Sequence, residues 1–345
     1  MPVTITDIAR EAGVTPSTVS RALNGRYGIS AAVRERVLAA ARNLNYKPNL
    51  VARGLVTGRS QSLGLLVSDI RNPFFAEVAR GAEDEANAAG YDVVLCNSDL
   101  DAGKQMAYFR SLLSKRVAGV LMNSVAALNQ RQLQEIREAA IPVVTLTASG
   151  RHRFLSTVIC DNFRGGYLAG EYLARLGHRR VAHLTSLRRH PVLAERARGF
   201  AKGLQSVSRD AELLIFRGPH NSRGGYEMAH RAMAAAPGIT AIFAANDAVA
   251  FGAMKAIFEA GLRVPDDISL IGFDDVELAA IVHPPLTTIR QPGYEMGRAA
   301  VEILLRQADR EGVLPEHRIF DVELIERQSC RALQESPAVG CRQGR

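Results

Sequence analysis

"SLGLLVSDIRNPFFAEVARGAEDEANAAGYDVVLCNSD", residues 62–99, sets two short apolar runs, "LGLLVSD" and "YDVVLCNSD", on either side of a stretch whose apolar residues recur at helical spacing. The pattern predicts strand, helix near 74–89, strand. It continues with a helix near 103–116 and the runs "VAGVLMNS" and "IPVVTLT". After "STVICDN" the rhythm restarts with a helix near 162–176, then "RRVAHLTS", "LLIFRG", "TAIFAAND" and "ISLIGFDD", with helices between them. Such alternation predicts doubly wound parallel sheets, and two series of it predict two α/β lobes with a cleft between them. In open α/β sheets ligands sit beyond the carboxyl ends of the strands. Those ends carry Ser68, Asp69, Asn123, Asp161, Asn246, Asp247, Asp274 and Asp275, the first candidates for holding a polar ligand.

Upstream the periodicity is different. In "TITDIAREAGVTPSTVSRALN", residues 4–24, Thr6 can cap a helix with Ile8, Ala9 and Ala12 on one face, and Gly13 can end it. Thr15 offers a second cap, Pro16 stands at a first helical position where its missing N–H costs nothing, and Val19, Ala22 and Leu23 return at helical spacing. This is a helix-turn-helix pattern. A second helix so short buries one side and leaves Ser17, Thr18, Ser20 and Arg21 to meet base edges or phosphates. Ser30 caps a third helix whose Val33, Val37, Leu38, Ala41 and Leu44 close an all-α head of about 46 residues.

Charge singles out the same region. Residues 1–60 hold nine Arg or Lys against three Asp or Glu, so +6 of the chain's +8 lies there and the remaining 285 of 345 residues are nearly neutral. The balance argues for a small basic head on an ordinary globular body. Between them, in "NYKPNLVARGLVTGRS", Pro48 breaks the third helix, Asn49 offers a cap, and Leu50 to Val56 can form one or two turns. A helix of that length is marginal in water, so residues 47–59 read as a hinge that folds only against DNA or its copy in a dimer.

With 47% hydrophobic residues, the chain can bury a large core. It opens with no export-signal pattern and has no apolar run of the ~20 residues a membrane span needs, so a cytoplasmic protein is expected. Cys96, Cys160, Cys330 and Cys341 lack the close pairs of metal sites and are expected neither to form disulfides nor to hold a metal. G-x-G-x-x-G after the first strand, G-x-S-x-G, P-loop and H-E-x-x-H patterns are all missing, and the glycines of "RGGYLAG" fall within a predicted helix, where close packing explains them. Neither catalysis nor a cofactor is expected.

Taken in order, "TITDIAREAGVTPSTVSRALNG", "LNYKPNLVARGL", the opening stretch, "ERARGF", "FAANDAVAFGAMKA", "ISLIGFDD" and "PPLTTIRQP" make residues 4–329 resemble bacterial transcription regulators of the LacI/GalR family. The resemblance implies a homodimer whose heads each read a half-site, a hinge helix in the minor groove, and a core like periplasmic sugar-binding proteins that senses a small molecule. It places Pro16, Ser17 and Arg21 on the recognition helix and makes Leu55 the wedge between base pairs. Thr6, Thr15, Thr18, Asn24, Tyr46 and Arg53 complete the DNA-binding candidates. For the effector it points to Asn72, Phe74 and Phe75 in "RNPFF", to Arg196, Asn246 and Asp274, and to His190 and His220, the latter where relatives place a stacking aromatic. An aromatic face beside a guanidinium and a carboxylate suits a sugar or sugar derivative.

The resemblance also predicts that "TTIRQP" returns the chain to the first lobe, where helix 293–307 packs, and that "RIFDVELIERQS" adds closing strands. The expected layout is a head at 1–46, a hinge at 47–59 and a core at 60–330. Within the core, an N-lobe takes about 60–161 and 291–320, a C-lobe about 162–290 and 321–330, and a disordered tail follows at 331–345. The tail has no leucine heptad, so a dimer is expected. The alternative is a periplasmic-type sugar-binding protein, which has no use for a basic head. Repression is the expected output; release by an inducer is the commoner arrangement that the resemblance implies, while recruitment by a corepressor uses the same architecture and the sequence does not give the sign.

Overall fold

A computed structural model describes residues 3–23, 28–46, 60–124, 127–146, 154–187, 190–309 and 313–333. Asn24, Arg53, Leu55, the helix expected within 47–59, Cys341 and the tail from 334 lie outside the described residues. The chain forms two units, residues 1–60 and 61–345.

The first unit holds α1 (Ile5–Ala12), α2 (Pro16–Leu23) and α3 (Ala31–Asn43). The α1 cap is Thr4, not Thr6. Asp7 N–H donates to Thr4 Oγ1 at 3.4 Å and Thr4 N–H donates to Asp7 Oδ2 at 2.9 Å, a reciprocal box that starts the helix two residues early and leaves Thr6 exposed within it. Gly13 ends α1 at φ 63°, left-handed backbone that favours glycine. Thr15 Oγ1 accepts from Thr18 N–H at 3.3 Å at the start of α2, and Ser30 caps α3. Ile8, Ala9, Ala12, Val19, Ala22 and Val37 form the buried centre.

In the second unit, β1 (Ser62–Val67), β2 (Asp92–Asn97), β3 (Gly119–Met122), β4 (Val143–Thr145), β5 (Ser156–Cys160) and β11 (His317–Phe320) form one sheet in the order β11-β5-β4-β3-β1-β2, parallel throughout. Helices α4 (Phe74–Ala88), α5 (Ala102–Ser114), α6 (Gln130–Glu138) and α12 (Gly293–Asp309) belong to this N-lobe. The C-lobe sheet is parallel β7-β6-β8-β9, from β6 (Arg180–Ser186), β7 (Glu212–Gly218), β8 (Ala241–Ala244) and β9 (Ser269–Ile271). Its helices are α7 (Asn162–Arg175), α8 (Pro191–Val207), α9 (Ser222–Ala235), α10 (Asp247–Glu259) and α11 (Glu277–Ile281).

The chain crosses between lobes after β5, after β10 (Thr288–Arg290) and before β12 (Glu323–Ile325). The last two pair antiparallel in a two-stranded ribbon, which the bridges Ile271–Thr287 and Asp274–Arg290 tie to the end of β9. Residues 331–333, expected in the tail, are held to the C-lobe: Leu333 N–H donates to Leu176 O at 2.8 Å, and Arg331 O accepts from His178 Nε2 at 3.1 Å. Among the described residues no helix is long and apolar enough to cross a membrane.

Two C-lobe histidines make the fold acid-sensitive. His178 is wholly buried between Thr240 and Arg331, and His183 is wholly buried with its ring stacked on Phe243 at 4.8 Å. Burial pulls both imidazoles down to about 4. The unfolded chain protonates these rings near pH 6.5, so it binds more protons between pH 6.5 and 4, and their stabilisation, full above that window, is lost as pH falls through it. Each shift carries up to ~3 kcal/mol. Burial raises Asp247 and Asp274, which works in the opposite sense and offsets part of the loss. The melting temperature of residues 61–345 is therefore expected to fall from pH 7 to 4.5, and His183→Phe to flatten that fall. A wild-type melting temperature unchanged over this range would contradict the account.

Candidate functional site

The carboxyl ends of the strands from both lobes converge on a cavity of about 300 Å3, at the small end of ligand sites, which run from ~300 to ~1,000 Å3. The turn after β1 brings Ser68, Asp69 and Asn72. Asn72 Oδ1 accepts from Phe74 N–H at 3.1 Å, setting the start of α4 and the two rings that follow. Phe74 and Phe75 meet edge to face at 5.3 Å and are only 9% exposed, so they line the cavity and also join the N-lobe core.

From the C-lobe comes Arg196 on α8, 4% exposed. Its Nε and Nη2 donate to Asn162 Oδ1 at 3.3 and 2.8 Å, its Nη1 donates to Ala245 O, and its guanidinium lies 3.3 Å from the Phe273 ring centre. Burial pulls its pKa down, while Asp274, Cys160 and Asp247 oppose the shift. Asp274 follows β9 with φ 122°, a strained conformation for a side-chain-bearing residue that aims the carboxylate into the cleft. Its Oδ2 accepts from Asn72 Nδ2 at 3.2 Å across the lobes, and its Oδ1 from Gln291 Nε2 at 2.6 Å. Burial pushes this carboxyl up, against Arg196 and the two amides.

All eight effector candidates, Asn72, Phe74, Phe75, His190, Arg196, His220, Asn246 and Asp274, line this one cavity. The broader strand-end reading needs correction at three carboxylates. Asp161 caps α7, accepting from Arg164 N–H at 2.8 Å, and the pocket residue there is Asn162. Asp247 is wholly buried, accepting from Val276 N–H at 3.0 Å and Thr288 Oγ1 at 2.6 Å. Asp275, at φ 58°, pairs with Arg290 at 2.8 Å and Arg327 at 2.6 Å. Sequence reasoning also missed Gln291, whose Oε1 accepts from Cys160 Sγ–H at 2.7 Å while its amide holds Asp274. Burial pushes the Cys160 thiol up to about 12, so it stays protonated.

In the head, Thr15, just before α2, and Pro16, Ser17 and Arg21 on it are exposed, while Thr18 is half-buried. Thr15 Oγ1 lies 2.8 Å from Ser17 Oγ and 2.9 Å from Thr18 Oγ1, which fixes these hydroxyls relative to one another. Tyr46 is half-buried, its ring packed on the three-helix core. Among the described residues, no group of three or more His, Cys, Asp or Glu is placed to hold a metal.

Comparison with known proteins matches residues 4–49 to a family described as bacterial regulatory proteins, lacI family, and residues 171–330 to a periplasmic binding protein-like domain. The HTH-type transcriptional repressor PurR of Pectobacterium carotovorum is 37% identical over 88% of this chain and 89% of its own. A lac repressor dimer bound to operator and the anti-inducer ONPF superposes with a TM-score of 0.83 at 30% identity, covering 96% of this chain and 100% of that one. A LacI family regulator from Enterococcus faecium with bound ribose superposes at 0.72, 30% identical, over 79% of this chain and 100% of its own.

Proposed function

The chain belongs to the lacI family of bacterial regulatory proteins, and on that premise we propose that it is a repressor which holds a near-palindromic operator as a homodimer, its affinity set by a sugar or sugar derivative in the core cleft. Sequence-specific DNA binding and an effector-binding core come with the family, and the protein is not an enzyme. The cleft itself carries the finer reading. Residues that line it also bond the lobes to each other: Asn72 to Asp274 at 3.2 Å, and His190 Nε2 to Ser124 O at 2.8 Å. A ligand that takes up Asp274 competes with the first bond, so its affinity differs between open and closed lobes, and that difference sets the size of the switch. The ribose-bound neighbour and the small cavity support a sugar; the operator-bound dimer supports a two-fold site.

In this reading residues 1–46 form the DNA-reading head, 47–59 the hinge and 60–330 the sensor. Thr6, Thr15, Pro16, Ser17, Thr18 and Arg21 face the major groove or its phosphates, with Asn24, Tyr46 and Arg53 as backbone anchors and Leu55 as the wedge. Selection of the full chain on random duplexes is expected to return a near-palindrome with a flexible pyrimidine–purine step at its centre. Leu55→Ala should weaken the selected site at least about tenfold and leave salt-dependent binding to unrelated duplex within about twofold. An asymmetric site would contradict the dimer reading, and equal loss on both duplexes the wedge.

A further inference from the structure

Among the described residues, two polar atoms on side chains lining the cleft are buried without a partner, His190 Nδ1 and His220 Nδ1. The bond made by the other nitrogen of each ring decides which of them carries a proton. His190 Nε2 lies 2.8 Å from the Ser124 carbonyl oxygen, which only accepts, so Nε2 carries the proton and Nδ1 is a bare acceptor. Asn246 Oδ1 accepts from Val249 N–H at 2.9 Å, which turns its Nδ2 toward His220 Nε2 at 3.2 Å. The amide donates there, so the His220 proton sits on Nδ1, a bare donor. Burial pulls both rings down, His220 to about 3, and keeps each of them neutral.

The two uncharged rings therefore add to the cleft one unmet acceptor and one unmet donor, at fixed tautomers. Most other polar groups are already engaged. Asp69 is paired with Arg71, and Asn72 divides its amide between Phe74 and Asp274. Arg196, the one Arg or Lys among the described lining residues, commits three of its five N–H donors, one each from Nε, Nη1 and Nη2, to Asn162 and Ala245. The Asp274 oxygens each accept one amide and retain a lone pair that calls for a donor. A phosphate dianion brings acceptors only, so it meets the His220 donor but leaves His190 Nδ1 and Asp274 facing oxygen lone pairs. A hydroxyl both donates and accepts and can rotate to suit each partner.

We propose that His190 and His220 set the specificity of this cleft by reading two hydroxyls of an uncharged polyol, His190 Nδ1 accepting from one and His220 Nδ1–H donating to the other. The inference rests on the sugar-effector reading above and adds which atoms select the sugar.

Glutamine at either position deletes only the cleft-facing nitrogen. In His190→Gln the amide can still donate to Ser124 O, and in His220→Gln the amide oxygen can still accept from Asn246, but neither has an atom at Nδ1. Calorimetric titration of the full chain with D-ribose, D-glucose, D-fructose, D-ribose 5-phosphate and hypoxanthine is expected to show at least one free sugar bound. Each glutamine variant should weaken that sugar about tenfold or more. A sugar bound equally well by wild type and both variants overturns the histidine assignment and leaves the sugar effector standing. Binding confined to the phosphate or to hypoxanthine, or no binding of any probe, overturns both. Where a glutamine variant melts below wild type, asparagine at the same position decides, because its amide returns a polar atom near Nδ1. His190→Asn or His220→Asn must then bind the sugar more tightly than the glutamine variant, and equal or weaker binding overturns the proposal.

Discussion

Replacing Arg196 by alanine is expected to weaken effector binding at least about 100-fold and to destabilise residues 61–345 by about 2–4 kcal/mol. The two effects have one origin. The guanidinium holds Asn162 Oδ1 by two bonds and the Ala245 carbonyl by a third, and it lies on the Phe273 ring, so it joins the starts of α7, α8 and α10 beneath the cavity. Removing it leaves a carbonyl and an amide oxygen buried without donors and strips Asp274 of the positive charge that opposes its burial. Arg196→Lys separates the contributions. A lysine keeps the charge near Asp274 but cannot present a planar fork to Asn162 and Ala245 while stacking on Phe273. It should recover part of the stability lost in alanine and little of the binding. Calorimetry and thermal melting read both; an alanine variant that binds and responds like wild type would remove Arg196 from the pocket.

The two lobes were legible because strand and helix periods alternate without ambiguity from "LGLLVSD" to "ISLIGFDD", and strands β1, β3, β8 and β9 are buried on both faces or nearly so, while the edge strands β2 and β7 are half-exposed. The antiparallel pairing of β10 with β12 was not, since three-residue strands far apart in sequence leave no period to read. Local rules misplaced the first cap because Thr4 and Thr6 are both competent; the reciprocal partner Asp7, three residues after Thr4, is the signal that separates them.

At the site the strand-end pattern supplied the right neighbourhoods but did not separate adjacent polar residues. Asp274 and Asp275 differ by one position, yet one faces the cleft and the other is taken by Arg290 and Arg327. The choice is made by backbone at φ 122° and 58° and by partners 15 and 52 residues away. In the same way Asp161 and Asn162 are neighbours, and a helix cap claims the first and frees the second for Arg196. The histidines were found by position, but their use depends on a carbonyl 66 residues distant and on which way a capping asparagine turns. None of these long-range partners leaves a trace in local spacing.

Gly166→Ala is expected to damage the effector site without altering any residue that lines it. A Cβ built on Gly166 falls on the Arg196 carbonyl oxygen, far inside the 3.0 Å that real Cβ atoms respect, and one on Gly170 falls on the Phe200 carbonyl. Gly199 and Gly203 on α8 stand in the same relation to Phe163 and Tyr167 on α7. The two helices thus touch backbone to backbone over about two turns, with glycines from both, and no flexible side chain is available to move aside. A methyl group at 166 must part the helices by about 1 Å, a distance that closely packed interiors do not absorb and that binding sites do not tolerate. Because the clash falls on the residue whose side chain meets Asn162 and Ala245, the displacement is delivered to the guanidinium itself. Overpacking of this kind costs about 1–3 kcal/mol, and effector affinity should fall at least about tenfold. The cause can be separated from general destabilisation by a cycle with Arg196→Ala. If Gly166→Ala acts through Arg196, adding it to the alanine variant should weaken the effector little further, whereas independent effects would add. Full additivity, or a Gly166→Ala protein with wild-type melting and affinity, would show that α7 and α8 can separate without moving the pocket.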